Sequence, residues 1–191
     1  MKRIVLASAS PRRKELLEQM GLQFEVDPAD HDEGKASASE PHGMAMELSL
    51  GKASAAARRH RKAVIIAADT LVVLGDRVFG KPHTDAQARE MLRDLNGRTH
   101  SVITGFTILD AETGKRLSRS VETRVHMRKL TLEEIDSYVR TKEPLDKAGG
   151  YAIQERGAIL VERIEGDFSN VVGLPLAALA EGLKEFGVKV L

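Results

Sequence analysis

Short apolar runs alternate with stretches of helical periodicity along this chain of 191 residues. The first run, residues 2–8, is apolar and rich in β-branched residues, and it predicts a buried strand. From Ser10 onwards the apolar positions recur at helical spacing. Ser10 suits the N-cap of the predicted helix, Pro11 its first position and Gly21 its C-terminal cap. The pattern therefore predicts a strand followed directly by a capped helix.

The rest of the chain continues in the same manner. Further strands are predicted at residues 23–26, 63–74, 99–110, 115–127 and 158–164, and a tight turn with a short return strand at residues 75–82. Further helices are predicted at about residues 41–60, at 84–97 and from residue 131, and a final helix begins with Pro175. Thr84 with Gln87, and Thr131 with Glu134, have the spacing of capping boxes, which mark helix starts.

The order of these elements decides the expected fold class. Strands and helices alternate without a strict strand–helix–strand rhythm, and residues 99–127 predict a long hairpin around the sequence AETG. A hairpin within such a chain favours a mixed sheet flanked by helices over a doubly wound parallel sheet. The sequence contains no internal repeat, low-complexity tract or linker. We therefore expect one domain over residues 1–191.

The charge balance and the cysteine content exclude several classes of protein. With 29 basic and 28 acidic side chains the net charge is +1, so no overall field attracts nucleic acid or an anionic membrane. The chain has no cysteine, which excludes disulfides and thiolate zinc sites and is typical of a reducing compartment. The N-terminal apolar run ends too early for an export signal, and no stretch approaches the roughly 20 apolar residues of a membrane span. We expect a soluble, cytoplasmic protein with neither a nucleic-acid nor a membrane partner.

The start of the first predicted helix combines hydroxyl groups with two adjacent arginines. Ser8 and Ser10 precede this helix, and Arg12 and Arg13 lie in its first turn. Free backbone N–H groups and the positive end of a helix dipole attract anions, and guanidinium groups bind phosphate in a bidentate manner. One interpretation is therefore an anion site without a P-loop motif. The other is a capped helix with two solvated arginines.

Four further segments carry side chains suited to binding or catalysis. Asp69 follows an apolar run, where a charged carboxylate is costly unless it is paired, protonated or bound to a metal. Its expected position at the carboxyl end of an interior strand indicates a site, although such aspartates are also ordinary turn formers. Lys52, in the middle of a predicted helix, and Lys81, in the sequence FGKP, would each be interpreted alone as solvated. The acidic loop with Asp32 and Glu33 has the oxygen ligands that a hard cation prefers, or is simply hydrated.

Seven segments stand in order along the chain. They are LASASPRR at 6–13, DE at 32–33, K at 52, AADT at 67–70, GKP at 80–82, EPLDKAGGYAIQ at 143–154 and VVGLPL at 171–176. Together they resemble the Maf family of nucleoside triphosphate pyrophosphatases over essentially the whole chain. The resemblance implies an elongated mixed sheet flanked by helices, with two lobes around a central cleft, similar to inosine triphosphate pyrophosphatases. It also implies hydrolysis of a nucleoside triphosphate to the monophosphate and pyrophosphate, with Mg²⁺ or Mn²⁺ as cofactor, in nucleotide-pool housekeeping.

The resemblance also implies roles for individual residues. Asp69 would accept a proton, and Glu33 would help to bind the metal or a water molecule. The phosphates would be bound by a set of hydroxyl and cationic side chains, namely Ser8, Arg12, Arg13, Lys52 and Lys81. Members of the family are often dimers, so a homodimer is one expectation.

One branch of the family, the dTTP/UTP pyrophosphatases, resembles this chain most. That branch carries the residues found here as Arg12, Thr70 and Gln154, and the last two offer hydrogen bonds suited to the edge of a pyrimidine. The chain departs from the family at Glu155, where glycine is common. A 7-methyl-GTP pyrophosphatase and a non-catalytic nucleotide-binding regulator of cell division are the alternatives, and an RNA-binding protein is disfavoured by the 4% aromatic content.

Overall fold

The computed structural model describes residues 2–29 and 38–190. Within these ranges it contains a seven-stranded sheet and six α-helices. In chain order they are β1 Arg3–Leu6, α1 Pro11–Gln19, β2 Glu25–Val26, α2 Pro41–Ala57, β3 Ala63–Leu74, β4 Arg77–Phe79, α3 Asp85–Leu95, β5 Thr99–Asp110, β6 Arg116–Met127, α4 Leu132–Arg140, β7 Val161–Glu165, α5 Phe168–Val172 and α6 Leu176–Lys184. Short 3₁₀ helices at Glu143–Asp146, Ala148–Gly150 and Glu155–Leu160 lie between α4 and β7.

The sheet is mixed, as predicted. Its order is β2-β1-β3-β5-β6-β7, and β4 pairs with β3 outside this path. Strand β1 is parallel to both β2 and β3, whereas β4 is antiparallel to β3 and β7 is antiparallel to β6. The last predicted strand, 158–164, is wrong at its start, because residues up to Leu160 belong to a 3₁₀ helix and β7 begins at Val161.

Local capping explains where the helices begin. Ser10 is the N-cap of α1, its Oγ accepts the backbone N–H of Arg13, and Pro11 follows at the first position. Thr131 and Glu134 form the predicted capping box of α4, with bonds of 3.2 and 2.7 Å in the two directions.

The other predicted capping box is only half correct. The hydroxyl of Thr84 accepts the backbone N–H of Gln87, as predicted. However, Oε1 of Gln87 accepts the backbone N–H of His83, one residue before the N-cap. The helix start is therefore predicted correctly, although the return bond goes to a different residue.

The chain divides into two compact units, which are described separately. The first comprises Met1–Thr70, Thr104–Val121 and Gly173–Leu191, and the second comprises Leu71–Ile103 and Glu122–Val172. Strands β3, β5 and β6 contribute residues to both units. In the described part of the chain, no helix has both the length and the apolar character needed to cross a bilayer.

In the first unit, α2 lies very close to β5. A Cβ atom on Gly105 would stand 2.2 Å from the carbonyl carbon of Ala45, so this approach requires glycine. Ala45, Ala53 and Ala56 are fully buried along α2. Because these side chains are small, the helix backbone packs close to the sheet. This close packing brings Lys52, which is on α2, near the sheet.

In the second unit, an uncharged histidine is buried in the core. His100 is 3% exposed, and its Nε2 lies 2.7 Å from the hydroxyl of Tyr151. Burial, with a smaller contribution from the charge of His126, lowers the pKa of His100 to about 4. The imidazole is therefore neutral in the folded protein across the physiological range.

The burial of His100 predicts a loss of stability in mild acid. An unfolded histidine has a pKa of about 6.5, so the unfolded chain binds one proton more than the folded chain between about pH 6.5 and pH 4. We expect the free energy of unfolding to fall over this window, by up to about 3 kcal/mol from this residue. Urea unfolding at a series of pH values measures it. His100→Gln should remove this contribution, and His83→Gln, an exposed control, should keep it. Equal pH slopes in both variants would contradict the assignment.

Candidate active site

The candidate site lies where β3 extends beyond the end of its parallel neighbour β1. The register of β1 with β3 ends at Leu6 and Ile66, and the pairing of β3 with β4 begins at Val72. Ser8 and Asp69 both lie shortly beyond the last β1–β3 pair. In parallel sheets, ligand sites form beyond the carboxyl ends of the strands, where the chain separates. The two residues therefore share the position at which such a site is expected.

Asp69 does not occupy the position predicted from the sequence. It was expected at the carboxyl end of a strand, but β3 continues without interruption from Ala63 to Leu74. The strand continues because β4 pairs with its second half. Near Asp69 only the pairing of β3 with β1 ends. Asp69 therefore lies beyond the end of β1, although it is inside β3.

Asp69 forms an ion pair with Lys52. The Nζ atom of Lys52 donates a hydrogen bond to Oδ1 of Asp69, and the side chains of lysine and aspartate are only 16% and 11% exposed. A buried carboxylate needs such a partner, because the cost of removing its charge from water is otherwise not recovered. Helix α2 therefore supplies the cation that allows a charged residue inside β3. The second carboxylate oxygen, Oδ2, lies outside this ion pair.

Arg13 links three separate segments of the first unit. Its Nη1 donates to Oγ of Ser8 at 3.3 Å, its Nη2 to Oγ1 of Thr70 at 2.9 Å and its Nε to the carbonyl oxygen of Gly173 at 2.8 Å. The Thr70 hydroxyl also lies 3.0 Å from that of Thr104. We call these five residues the Arg13 network. The guanidinium group is thereby held in one orientation at the start of α1.

The Arg13 network and the Lys52–Asp69 pair lie on opposite faces of β3. Asp69 and Thr70 are consecutive strand residues, and consecutive side chains of a strand point to opposite faces. The partners agree with this alternation, because Asp69 contacts α2 and Thr70 contacts α1. The predicted cations therefore reach β3 from both sides of the sheet.

The remaining predicted site residues lie in other parts of the chain. Arg12 is partly exposed in the first turn of α1. Lys81 is exposed and follows β4, and Gln154 precedes a 3₁₀ helix. Both belong to the second unit, so their approach to Asp69 stays a prediction. The predicted metal ligand Glu33 and its neighbour Asp32 lie outside the described residues.

Two members of the Arg13 network were missed by the sequence analysis. Thr104 is fully buried within β5, and no local pattern distinguishes it from the other threonines of that strand. Gly173 lies in the segment VVGLPL, which contributed to the resemblance without a role. Its φ angle is +129°, and a Cβ atom there would stand 3.4 Å from Nε of Arg13. The backbone conformation favours glycine, whereas the contact of such a Cβ atom with the guanidinium would be an ordinary one.

The described residues offer few ligands for a metal. Among residues 2–29 and 38–190 there is no group of three or more histidine, aspartate or glutamate side chains suited to hold an ion. Asp69 supplies one carboxylate. Mg²⁺ is commonly bound by one or two carboxylates together with substrate phosphates. The described residues therefore fit a divalent cation that reaches the site with a polyphosphate.

The sequence is similar to a family of known proteins over nearly its whole length. The family model described as Maf-like protein matches residues 3–186. The chain is 48% identical over 191 residues to the dTTP/UTP pyrophosphatase of Methanosarcina mazei, covering 100% of this chain and 97% of the relative. It is also 48% identical over 186 residues to the dTTP/UTP pyrophosphatase of Bacillus mycoides, covering 97% of this chain and 96% of the relative.

Solved structures share the fold. A HAM1 protein from Coxiella burnetii superposes with a TM-score of 0.52 at 17% identity, covering 97% of this chain and 100% of that one. The Ham1 protein of Staphylococcus aureus gives a TM-score of 0.50 at 16% identity, covering 84% of this chain and 80% of that one. At such low identity the likeness concerns the fold alone, and with the mixed sheet it confirms the predicted fold class.

The burial of the Lys52–Asp69 pair predicts strong energetic coupling between its members. Lys52→Met or Asp69→Asn alone leaves one buried charge without its partner, which should destabilise the protein by about 3 kcal/mol. The double variant should be more stable than the sum of the two effects by about 2 kcal/mol. Urea unfolding of all four proteins measures this coupling. Lys14 and Glu18, an exposed pair separated by 3.6 Å on α1, give the matched control cycle, where less than about 0.5 kcal/mol is expected. Equal coupling in the two cycles would disprove the interpretation.

Proposed function

Because the chain belongs to the Maf-like family, we propose that it is a nucleoside triphosphate pyrophosphatase that hydrolyses dTTP and UTP to the monophosphate and pyrophosphate. The substrate class follows the names of relatives that match the chain from end to end. The observation that carries the proposal is the buried Lys52–Asp69 pair beside the Arg13 network, at the position where β1 ends. The carboxylate of Asp69 and the hydroxyl that holds Arg13 belong to adjacent residues of one strand, and this supports the proposal.

The phosphates bind at the start of α1. A triphosphate is highly anionic, and hydrolysis concentrates further charge on the oxygen that leaves with pyrophosphate. Arg13 is already oriented by three hydrogen bonds, so it stabilises this charge without reorganising. The helix N-terminus, the Ser8 hydroxyl and Arg12 add donors on the same side. Lys52 supplies positive charge from the opposite face of β3, and Lys81 is proposed as a further phosphate ligand.

Asp69 accepts the proton of the attacking water. Lys52 binds Oδ1, and Oδ2 is the oxygen that we propose as the proton acceptor. The water oxygen bonds to the α-phosphorus, the bond from that phosphorus to the bridging oxygen breaks, and pyrophosphate leaves with the electron pair. A general base placed in this way typically contributes between about 10² and 10⁴ in rate.

A divalent cation, Mg²⁺ or Mn²⁺, is part of the proposal. Glu33 is the residue that would hold it, and the substrate phosphates would complete its ligands. When bound, it supplies neutralisation of phosphate charge and a more acidic water. We also propose a cytoplasmic location, which agrees with the lack of cysteine, and a homodimer, which is expected only from the family.

Thr70 and Gln154 are the residues proposed to recognise the base. The Thr70 hydroxyl accepts a bond from Arg13 and shares another with Thr104, so its position is set before substrate binds. A site whose polar groups are fixed discriminates strongly, because a wrong base leaves those groups unpaired. This arrangement suits the carbonyl and N–H edge of uracil or thymine.

The proposed proton acceptor predicts a separation between turnover and binding. Asp69→Asn should lower kcat by roughly 10²- to 10⁴-fold. Its affinity for a non-hydrolysable UTP analogue should change much less, because the cations that bind the phosphates remain. Pyrophosphate release and calorimetric titration measure the two quantities. Asp94→Asn, which removes a carboxylate paired with Arg77 in the second unit, is the control and should turn over normally. Normal turnover in Asp69→Asn would reject the assignment, and wild-type binding without turnover would support the regulator alternative.

The proposed base recognition predicts a narrow substrate range. The wild-type protein should hydrolyse dTTP and UTP with kcat/KM at least about 100-fold above that for CTP, GTP and 7-methyl-GTP. The assay follows pyrophosphate release with each nucleotide, in parallel with Mg²⁺ and with Mn²⁺. Equal rates on all five nucleotides would reject pyrimidine selectivity. A preference for 7-methyl-GTP would support the alternative of a 7-methyl-GTP pyrophosphatase.

A further inference from the structure

Gln154 lies in a short loop whose two ends are hydrogen-bonded to two side chains that also bond to each other. Residues 152–157 form this loop, which we call the Gln154 loop, and all of it belongs to the second unit. Tyr138 on α4 donates a hydrogen bond from its hydroxyl to Oε1 of Glu143 at 2.9 Å. We call this pair the Tyr138–Glu143 clamp. Tyr138 is buried, so the clamp lies beneath the loop rather than in solvent.

Backbone groups at each end of the loop bond to the clamp. At the start, the N–H of Ala152 donates to the hydroxyl of Tyr138 at 3.2 Å. At the end, the N–H of Gly157 donates to Oε1 of Glu143 at 2.9 Å, and that of Arg156 donates to Oε2 at 3.3 Å. The three bonds therefore enclose Gln154 between two anchored ends.

The backbone of the loop is shaped to reach the clamp. Glu155 has a φ angle of +58°, in the left-handed region that favours glycine. A left-handed residue turns the next two N–H groups toward one point, an arrangement that binds anions. Here that point is the carboxylate of Glu143. Gly157 completes the closure, because a Cβ atom there would stand 2.2 Å from the carbonyl oxygen of Ala152 and 2.7 Å from the hydroxyl of Tyr138.

In the clamp, Tyr138 is always the hydrogen-bond donor and Glu143 the acceptor. Burial raises the pKa of Tyr138 above its ordinary value, so the hydroxyl stays protonated and donates to Glu143. The same oxygen then accepts from Ala152. A carboxylate that accepts from one hydroxyl and two backbone N–H groups makes charge-assisted bonds, which are stronger than neutral ones.

We infer that the Tyr138–Glu143 clamp is a positioning device that holds Gln154 in one conformation and thereby sets the selectivity among nucleobases. The inference rests on the proposed function, in which Gln154 reads the base. A glutamine amide has both donor and acceptor atoms and, on a mobile loop, would adapt to either polarity of a base edge. A glutamine whose backbone is anchored approaches the base from one position, and its loop does not have to be ordered when substrate binds. The edges of uracil and cytosine differ in hydrogen-bonding polarity at two positions, N3 and the exocyclic group on C4, so selectivity between them depends on a constant position of the glutamine.

Tyr138→Phe tests the clamp with a minimal change. It retains the buried ring and removes the hydroxyl that joins Ala152 to Glu143. We expect the ratio of kcat/KM for UTP over CTP to fall roughly tenfold, the effect of losing about one hydrogen bond of positioning. The change should appear mainly in KM, with kcat for UTP within about twofold of wild type. Tyr151→Phe is the matched control, because it removes another buried hydroxyl of the same unit, which bonds to His100. An unchanged ratio in Tyr138→Phe would overturn the proposal.

A second readout does not depend on catalysis. Arg156 is exposed within the loop, so tryptic cleavage after it reports how often the loop opens. Mass spectrometry of the peptides should show faster cleavage at Arg156 in Tyr138→Phe than in wild type or Tyr151→Phe. Glu143→Gln keeps the shape of the side chain and weakens its hydrogen bonds, so cleavage at Arg156 should rise by less than in Tyr138→Phe. This variant replaces Tyr138→Phe in the test if the latter does not fold. Equal cleavage in all four proteins would contradict the clamp. A wild-type protein that hydrolyses none of the nucleotides would refute the proposed function, while the cleavage result would still decide on the clamp.

Discussion

The buried carboxylate of Asp69 constrains the site more than any other group. A charge 8% exposed in the interior of a strand needs a cation, and Lys52 of α2 provides it. A lysine on a helix reaches a neighbouring strand only if the helix packs close to the sheet. Gly105 on β5 and the buried alanines of α2 allow that approach. Packing that looks purely structural is therefore what permits a charged residue at this position.

The alternation of side chains along β3 divides the chemistry between two faces. Asp69 and its cation lie on the α2 face, and Thr70 with Arg13 lies on the other. Under the proposed roles, a triphosphate beyond the end of β1 would be approached from both faces, and the proton acceptor need not share a face with Arg13. The separation also keeps Arg13 apart from the carboxylate that Lys52 binds.

The sequence predicted the features that depend on neighbouring residues and missed those that depend on distant ones. The cap at Ser10 and the box at Thr131 follow from bonds within one helical turn, and both were correct. The strand at residues 63–74 and the return strand after it were also correct, and only the placement of Asp69 at a strand end was wrong, because β3 runs past it to pair with β4. Thr104 and Gly173 reach Arg13 and Thr70 across long stretches of chain, so no local pattern marks them. The roles of Lys52 and Asp69 came from the resemblance to the Maf family and stay predictions, and their ion pair is a contact that the sequence did not predict.

Glu155 shows how a departure from a family pattern can be accommodated by the structure. Glycine is common at this position in the family, and the φ angle of +58° is the reason that glycine suits it. A glutamate there costs about 1 kcal/mol relative to an unstrained backbone. The bonds from Arg156 and Gly157 to Glu143 form only in that conformation, and they offset the cost. Since glycine would satisfy the same geometry with more freedom in the unfolded chain, the substitution changes the stiffness and charge of the loop while retaining its path. Selectivity at Gln154 therefore depends on the anchors of the loop more than on residue 155 itself.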